Sequence, residues 1–316
     1  MQYNEMHTEN IADPAALKQA ILEQKAARDT LIVAHTYQSP EVLEIADITG
    51  DSFALSKAAR DVPHSRVLMC GVRFMAETVK ILSPQKQVIL SHSQAGCPMA
   101  EQLDPEAVRR YRQEHPNHAV CAYVNTTAQL KALADVCVTS SSAVRIVRQI
   151  PQTDILFIPD RNLGAYVQQM VPEKRLHFMT GFCPVHNAVT PAQIEAAKAA
   201  HPGAKVAIHP ECPPQTVALA DMAGSTKEII DYALGIDEDV IFVTEKGVCD
   251  ELSLKYPHRG FYQLEPSLLV CHDMKKTTLQ QVYAALTGQG GEEIFLDEEL
   301  MQQARGSIEA MLRYGG

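Results

Sequence analysis

The segment EIADITGDSFALSKAA (residues 44–59) is one of three stretches with the same layout, and it decides how the rest of the chain is interpreted. The other two are ALADVCVTSSSAVRIV (132–147) and ALADMAGSTKEIIDYA (218–233). Each contains an Ala-Asp pair, and successive aspartates in these pairs are 88 and 86 residues apart. A near-constant period of this kind indicates an internal repeat. The sequence therefore predicts three copies of one structural unit.

Chemically similar residues recur at fixed distances from the three aspartates, which are Asp47, Asp135 and Asp221. Twelve residues before each aspartate stands a ring side chain: His35, Tyr123 and His209. Ten residues before it stands a polar side chain: Tyr37, Asn125 and Glu211. Five residues after it stands a hydroxyl: Ser52, Ser140 and Thr226. A cysteine follows at 50, 48 and 50 residues: Cys97, Cys183 and Cys271. Three copies around one axis would direct all of these groups at one central space.

Short apolar runs alternate with helix-period segments along the whole chain, as in LIVAH (31–35) and RVLMC (66–70) with the helical RFMAETVKIL (73–82). This alternation is typical of parallel sheets that are covered by helices on both faces. We predict an α/β protein of three pseudo-threefold-related α/β/α sandwich domains with short parallel sheets and an active site on the central axis. The predicted domains are residues 14–98, 99–184 and 185–271, and the tail 272–316 is expected to pack back on the first repeat.

Composition narrows the functional classes. The chain has 316 residues and a formal net charge of −10, which argues against nucleic acid as a main partner. The sequence contains no apolar run of the roughly 18 residues that a membrane span requires. The N-terminus has neither a basic start nor an apolar core, so no signal peptide is predicted. We expect a cytoplasmic protein, in which the eight cysteines are buried thiols, metal ligands or catalytic groups rather than disulfides.

The ring and polar side chains predict a binding site, because both follow the first strand of each repeat. Ligands of open parallel sheets bind at the carboxyl ends of the strands. Residues two apart on an extended segment point the same way, so both members of a pair such as His35 and Tyr37 can face one cavity. A single polar pair at a strand end would often only meet solvent. Three pairs at the same spacing favour a site.

The hydroxyls Ser52, Ser140 and Thr226 come where helices are predicted to start. Taken singly, a Ser or Thr at such a position is usually an N-cap. Helix N-termini also bind carboxylates and phosphates through their free N–H groups and their dipole. Three helix starts that converge would suit a substrate with several anionic groups.

The three repeat-final cysteines are candidate metal ligands, each shortly after a predicted strand. Three thiolates are one short of the usual four-cysteine iron–sulfur cage. A three-cysteine zinc site with an open position and a cubane with one iron lacking a protein ligand fit the pattern equally well. Other cysteines, such as Cys70 and Cys249, are expected to be structural, while Cys212 beside Glu211 is less certain. His186, Lys275 and Lys276 could approach the site.

Several charged or aromatic residues carry no functional prediction. Arg73 and Lys80 are expected to lie on solvated helix faces. His64, His115 and His118 are expected to be surface loop residues.

The chain resembles the quinolinate synthases, the iron–sulfur enzymes of de novo NAD biosynthesis, from about Leu31 to its C-terminus. The matching segments follow in family order: GDSFALSKAA, GVRFMAETVKILSP, AGCPMAE, AYVNTTAQLKALADVCVTSSSAV, FIPDRNLGAYV, GFCPVHNAVTP, HPECPPQTVALADMAGST and CHDMKKTT. One position departs from the family, which commonly has His-Tyr-Tyr-Gln where this chain has His35-Thr36-Tyr37-Gln38. Strand alternation directs Thr36 away from the cavity, so only a packing effect is expected.

The resemblance implies a [4Fe-4S] cluster held by Cys97, Cys183 and Cys271. It implies condensation of iminoaspartate, made by L-aspartate oxidase, with dihydroxyacetone phosphate to give quinolinate, phosphate and two waters. Tyr37 resembles the family's acid/base, and Glu211 beside His209 resembles the base of the dehydrations. The remaining positions match or are expected to serve substrate binding: His35, Ser52, Tyr123, Asn125, Ser140, His186, His209 and Thr226.

Three other functions remain open from the residues alone. Another iron–sulfur hydro-lyase acting on a small polycarboxylate would share the cysteines and the anion sites. A redox sensor or electron-transfer protein would use the cluster but would not need three polar strand-end pairs. A zinc hydrolase would differ in metal content.

Overall fold

The computed structural model describes residues 11–315, apart from the side chain of Ala59. The prediction that the N-terminus is not a signal peptide rests on residues 1–19, of which residues 1–10 lie outside the described residues. Within residues 11–315, no helix combines the length and the apolar character that crossing a bilayer requires.

The first two segments of the chain each begin with a helix and then alternate strands and helices. The first segment consists of α1 (Pro14–Ala27), β1 (Thr30–His35), α2 (Pro40–Ile45), β2 (Ile48–Gly50), α3 (Ser52–Asp61), β3 (Arg66–Cys70), α4 (Arg73–Leu82) and β4 (Gln87–Leu90). The second consists of α5 (Pro105–Glu114), β5 (Ala119–Tyr123), α6 (Ala128–Ala132), β6 (Val136–Val138), α7 (Ala143–Gln149), β7 (Asp154–Ile158), α8 (Arg161–Met170) and β8 (Arg175–Phe178).

The rest of the chain repeats this order and ends in a mainly helical tail. The third segment consists of α9 (Pro184–Asn187), α10 (Pro191–Ala200), β9 (Lys205–Ile208), α11 (Pro214–Val217), β10 (Met222–Ala223), α12 (Thr226–Gly235), β11 (Val240–Val243), α13 (Gly247–Lys255) and β12 (Phe261–Gln263). The tail consists of a 3-10 turn (Met274–Lys276), α14 (Leu279–Thr287), β13 (Glu292–Glu293) and α15 (Glu298–Tyr314).

The described strands form three short sheets, and the pairing is parallel except at one edge. The strand orders are β13-β4-β3-β1-β2, β6-β5-β7-β8 and β10-β9-β11-β12. Central strands such as β1, β5 and β11 are buried along their whole length, as expected when helices cover both faces of a parallel sheet. The predicted α/β class with short parallel sheets is confirmed. The threefold axis and the domain boundaries stay predictions.

The Ala-Asp pairs recur because each aspartate fastens the first strand of its sheet at two points. The side chain of Asp47 accepts a hydrogen bond from the Ile32 N–H at 2.8 Å, and the Asp47 N–H donates to the Ile32 carbonyl at 2.8 Å. The same pair of bonds joins Asp135 to Val120 at 2.7 and 2.9 Å. It also joins Asp221 to Val206 at 2.9 and 3.0 Å. The turn between the first two strands is therefore closed in the same way in each repeat.

The tail joins two parts of the molecule. β13 pairs antiparallel with β4 and α14 packs on α1, so this part of the tail contacts the first segment. Helix α15, however, packs mainly on α6 and β6 of the second segment. Arg73, expected on a solvated helix face, instead forms an ion pair with Glu292 of β13, with Nη1 and Oε1 3.0 Å apart.

The helix starts differ from the simplest expectation for the three hydroxyls. The N-caps of α3, α7 and α12 are Asp51, Ser142 and Ser225, not Ser52, Ser140 and Thr226. Ser52 and Thr226 are instead the first residues of their helices, and Ser140 lies in the turn before α7. The N-cap interpretation of these three hydroxyls is wrong, and their side chains are available for another purpose.

Candidate active site

A buried cavity of about 80 Å³ lies where the carboxyl ends of β1, β5 and β9 come together. His35 and Tyr123 are the last residues of their strands, and His209 directly follows β9. All thirteen side chains predicted from the sequence line this cavity, namely His35, Tyr37, Ser52, Cys97, Tyr123, Asn125, Ser140, Cys183, His186, His209, Glu211, Thr226 and Cys271. The departure from the family, Thr36, is buried outside the cavity wall, and its N–H donates to the Gly50 carbonyl at 3.0 Å.

Three half-buried cysteines reach the cavity from loops that follow the last long strand of each segment. Cys97, Cys183 and Cys271 are free thiols. Burial raises the pKa of Cys97 to about 12 and that of Cys271 to about 11, and it raises the pKa of Cys183 as well. Without a cation the three groups therefore stay protonated, and a soft metal that displaces their protons would be bound by sulfur.

The donor set is compatible with an iron–sulfur centre held by three thiols. Three thiols from three separate loops line one cavity, together with a buried Asn125 oxygen, Oδ1, that has no hydrogen-bond partner in the structure. An unpaired buried polar atom costs free energy unless a ligand completes it. Cys70, Cys121, Cys137, Cys212 and Cys249 are buried away from the cavity wall.

The two-residue spacing of the ring and polar pairs has a physical role in the first and third repeats. The Tyr37 N–H donates to His35 Nδ1 at 3.1 Å, and the Glu211 N–H donates to His209 Nδ1 at 3.3 Å. Each imidazole therefore carries its proton on Nε2 when neutral. Burial lowers the pKa of His35 to about 3 and that of His209 to about 4, so both rings are neutral at pH 7 and carry an Nε2–H that can donate to a ligand.

Glu211 is the centre of a buried polar cluster. The Tyr123 hydroxyl donates to its Oε1 at 2.7 Å, His186 Nδ1 lies 2.8 Å from its Oε2, and His209 Nδ1 lies 3.9 Å from the same oxygen. Burial alone would raise the pKa of Glu211, but its interactions with the His209 and His186 rings and the hydrogen bonds from His186 and Tyr123 outweigh burial and lower the pKa to about 2. Glu211 is therefore an ionised carboxylate inside the cavity.

Tyr37 stays a proton donor in this environment. Burial and the charge of Glu211 raise the pKa of its hydroxyl well above the ordinary value. The hydroxyl lies 3.0 Å from Thr226 Oγ1 and 3.2 Å from Thr244 Oγ1. Thr244 also lies 3.3 Å from His186 Nε2, so it connects Tyr37 with the Glu211 cluster.

Sequence reasoning missed Thr244 and also Glu245, a cavity-lining residue that is fully buried. Glu245 Oε1 accepts from the Cys271 N–H at 3.2 Å and lies 3.1 Å from Lys275 Nζ. Lys275 itself is not among the residues of the cavity wall. Glu245 stands two residues after the third strand of its repeat, and Asp160 stands at the same position in the second repeat. This recurrence of an acidic residue is the sequence pattern that could have identified Glu245.

Away from the cavity, another group of side chains that could bind a metal lies at the amino ends of β7 and β8. The ligand atoms of His118, Asp154 and His177 lie within 4.8 Å of one another. His115 and His118, expected to be separate loop residues, stack with ring centroids 4.7 Å apart. Arg175 already donates to both oxygens of Asp154 at 2.6 and 2.7 Å, so this carboxylate is neutralised by the protein itself.

Fold and site together define an α/β protein with a central cavity that is lined by ring, hydroxyl and carboxyl side chains and has three free cysteines at its wall. The model of the family "NadA: Quinolinate synthetase A protein" matches residues 19–313. The chain is 44% identical over 300 residues to a quinolinate synthase of Caldicellulosiruptor bescii, which covers 95% of this chain and 98% of that protein. It is 44% identical over 301 residues to a quinolinate synthase of Clostridium acetobutylicum, with 95% and 98% covered. The chain belongs to the quinolinate synthase family, whose members act in NAD biosynthesis.

Proposed function

We propose that the chain condenses iminoaspartate with dihydroxyacetone phosphate to give quinolinate, phosphate and two waters. All atoms of the two substrates, including hydrogen and oxygen, are accounted for in these products, so the condensation needs no oxidant or reductant. Iminoaspartate is an imine and hydrolyses in water, so an enzyme such as L-aspartate oxidase would have to supply it close by. The observation that carries this proposal is the convergence of three free cysteines and the Glu211 cluster on one buried cavity.

Cys97, Cys183 and Cys271 would hold a [4Fe-4S] cluster in this proposal. When bound, such a cluster with an open iron supplies Lewis-acid chemistry for the departure of a poor leaving group such as hydroxide. The raised pKa values of the three thiols mean that assembly must release protons, so cluster loading should be weaker at acidic pH.

The residues of the first repeat would bind and protonate the condensed intermediate. His35 is neutral and donates through Nε2, which suits a substrate carboxylate. Tyr37 holds its proton because its pKa is raised, and its hydrogen bonds to Thr226 and Thr244 give the hydroxyl a fixed position. Tyr37 is therefore suited to donate a proton and to take it back during isomerisation.

Glu211 would accept the carbon-bound protons that leave during dehydration. It is ionised, enclosed and held by Tyr123 and His186. His209 beside it would remain neutral and donate through Nε2. Anionic groups of the substrates would be bound by Ser52, Ser140 and Thr226 at the helix starts. Asn125 Oδ1, which lacks a partner, would accept a hydrogen bond from a substrate N–H or hydroxyl group.

The test is quinolinate formation from the two substrates by anaerobically reconstituted protein, with product identified by mass spectrometry. Glu211→Gln and Tyr37→Phe should each lose at least about a hundredfold in turnover. Tyr262→Phe, a surface tyrosine whose hydroxyl pairs with Asp239, serves as the matched control and should keep full activity. Consumption of another polycarboxylate without quinolinate formation would favour a different hydro-lyase and refute the proposal.

A further inference from the structure

Two of the three cysteine loops are fastened by a buried carboxyl group. Asp160 Oδ2 accepts from the Cys183 N–H at 3.1 Å, and Glu245 Oε1 accepts from the Cys271 N–H at 3.2 Å. Both acids are fully buried. Asp160 stands two residues after the end of β7, and Glu245 stands two residues after the end of β11. The two carboxyl groups thus occupy matching positions in the second and third repeats.

Each carboxyl group also holds the start of the following helix with its other oxygen. Asp160 Oδ1 accepts from the N–H groups of Asn162 and Leu163 at 2.8 and 2.9 Å at the beginning of α8. Glu245 Oε2 accepts from the Gly247 N–H at 2.7 Å at the beginning of α13, and Lys275 supplies the countercharge. A single buried side chain therefore joins the helix start to the cysteine loop, which leaves the loop little freedom to move.

The first repeat has no such group. The equivalent position, two residues after the end of β3, is occupied by Val72, whose side chain has no polar atom. One backbone hydrogen bond to the loop before the cysteine occurs in all three repeats. In the first repeat the Arg73 N–H donates to the Ala95 carbonyl at 2.9 Å. The equivalent bonds run from Arg161 to Gly181 at 2.9 Å and from Lys246 to Leu269 at 2.8 Å.

Around Cys97, exposed polar side chains make the contacts that a buried acid makes in the other two repeats. The Cys97 N–H donates to Glu101 Oε1 over 3.4 Å, and Glu101 is a surface side chain. The Arg73 and Lys276 side chains hold neighbouring loop carbonyls at 3.0 and 2.7 Å. A polar surface cavity of about 330 Å³ borders Cys97 on this side, and Cys97 lines the central cavity as well. Exposed charged contacts of this kind contribute less than buried ones and are screened by salt.

We propose that Asp160 and Glu245 are positioning residues that fix the Cys183 and Cys271 loops, and that the Cys97 loop, which lacks a buried carboxyl group, releases its ligand first. The inference rests on the proposed function in taking the three cysteines as cluster ligands. The asymmetry follows from Val72, because the Cys97 N–H has no buried carboxyl acceptor and donates to the exposed Glu101 instead.

The experiment measures the alkylation rate of each cysteine in metal-free protein by iodoacetamide and mass spectrometry, and compares each cysteine with its own rate in the parent. Asp160→Ala should speed alkylation of Cys183 about tenfold and leave Cys271 unchanged, because a hydrogen bond to a buried acceptor is lost. Glu245→Ala should do the reverse. Asp160→Asn, which keeps one acceptor oxygen, should restore part of the protection.

Asp297→Ala is the matched control, since Asp297 caps α15 through the N–H groups of two residues but holds no cysteine loop. It should leave all three rates unchanged. Equal acceleration of all three cysteines in both alanine variants would overturn the positioning role, as would no acceleration at all. Should an alanine variant not fold, the same comparison is made with Asp160→Asn and Glu245→Gln, which should give smaller increases confined to the same cysteines.

The order of release is tested separately on reconstituted parent protein exposed briefly to air. Cys97 should be the first of the three cysteines to become alkylated. Raising the salt concentration should increase the rate of Cys97 alkylation further. Release of Cys183 or Cys271 before Cys97 would overturn the proposal. The alkylation rates of the metal-free variants do not depend on a cluster. If the protein bound no iron, the proposed function would be contradicted, but the positioning role of Asp160 and Glu245 would still be tested by those rates.

Discussion

Replacing His209 by asparagine should make the protein less sensitive to acid. His209 is fully buried, and burial lowers the pKa of its imidazole to about 4. The unfolded chain binds this proton near pH 6.5, so acid favours unfolding. The stabilising contribution is complete above pH 6.5 and is lost as the pH falls toward about 4.

The magnitude follows from the interval between the two pKa values. At pH 5 the unfolded imidazole is protonated and the folded one is still neutral, so the parent loses about 2 kcal/mol relative to pH 7 through this residue. Burial and Lys275 lower the pKa of His35, to about 3, more than His209 does, so the loss through His35 is similar in both proteins and largely cancels in the comparison. Asparagine can still accept the Glu211 N–H, so the variant keeps the local backbone contact.

Urea unfolding of metal-free protein at pH 7 and pH 5 measures the effect. The free energy of unfolding should fall by about 2 kcal/mol less in His209→Asn than in the parent. A cost of the substitution that does not depend on pH cancels in this difference. His258→Asn, at an exposed position, should behave as the parent does. A variant that loses as much stability as the parent between the two pH values would refute the account of a neutral, buried His209.

Three further substitutions test other parts of the structure. Tyr123→Phe removes the donor to the ionised Glu211 and should cost about 1.5–3 kcal/mol in urea unfolding at pH 7; an unchanged free energy of unfolding would mean that this bond makes no net contribution. Asp135→Ala removes the side-chain acceptor of the Val120 N–H and should cost about 1–2 kcal/mol, measured in the same way; no cost would remove the explanation of the repeated aspartate. Tyr37→Phe should lose its activity while its iron content, measured beside the assay, equals that of the parent.

Most of the fold and site features that could be predicted from the sequence followed from the threefold recurrence of its motifs. Asp47 and its two equivalents recur because each makes the same two bonds to the first strand, so their spacing reports a structural constraint. The positions of the cavity-lining residues follow from this, since strand ends and helix starts keep their distance from the aspartate. The chemical roles of these residues came from the resemblance to quinolinate synthases and could not be read from the spacing.

Features that depend on long-range contacts were missed. Arg73 forms an ion pair with Glu292, which lies near the opposite end of the chain, and no local pattern indicates it. Strand β13 (Glu292–Glu293) contains no apolar residue, because its position is fixed by pairing with β4 and not by a local sequence pattern. Helix α15 shows an apolar stripe in the sequence, but only the packing reveals that this stripe contacts the second segment.

The helix starts illustrate a different limit. Ser52 and its equivalents stand one or two residues away from the true N-caps, and in each segment another residue able to cap, such as Asp51, stands beside them. The local sequence does not show which of several neighbouring Ser, Thr or Asp residues is the N-cap of a helix. The distinction matters here, because a hydroxyl that does not cap its own helix is free to face the cavity.

The most direct test of the account is the iron and acid-labile sulfide content of the chain after anaerobic purification, with Cys97→Ser measured beside it. A matched control is Cys249→Ser, whose thiol lies outside the cavity wall. We predict about four iron and four sulfide per chain in the parent and in the control, and a marked loss in Cys97→Ser. Zinc in place of iron, or no metal under strict exclusion of oxygen, would contradict the assignment of the three cysteines as cluster ligands.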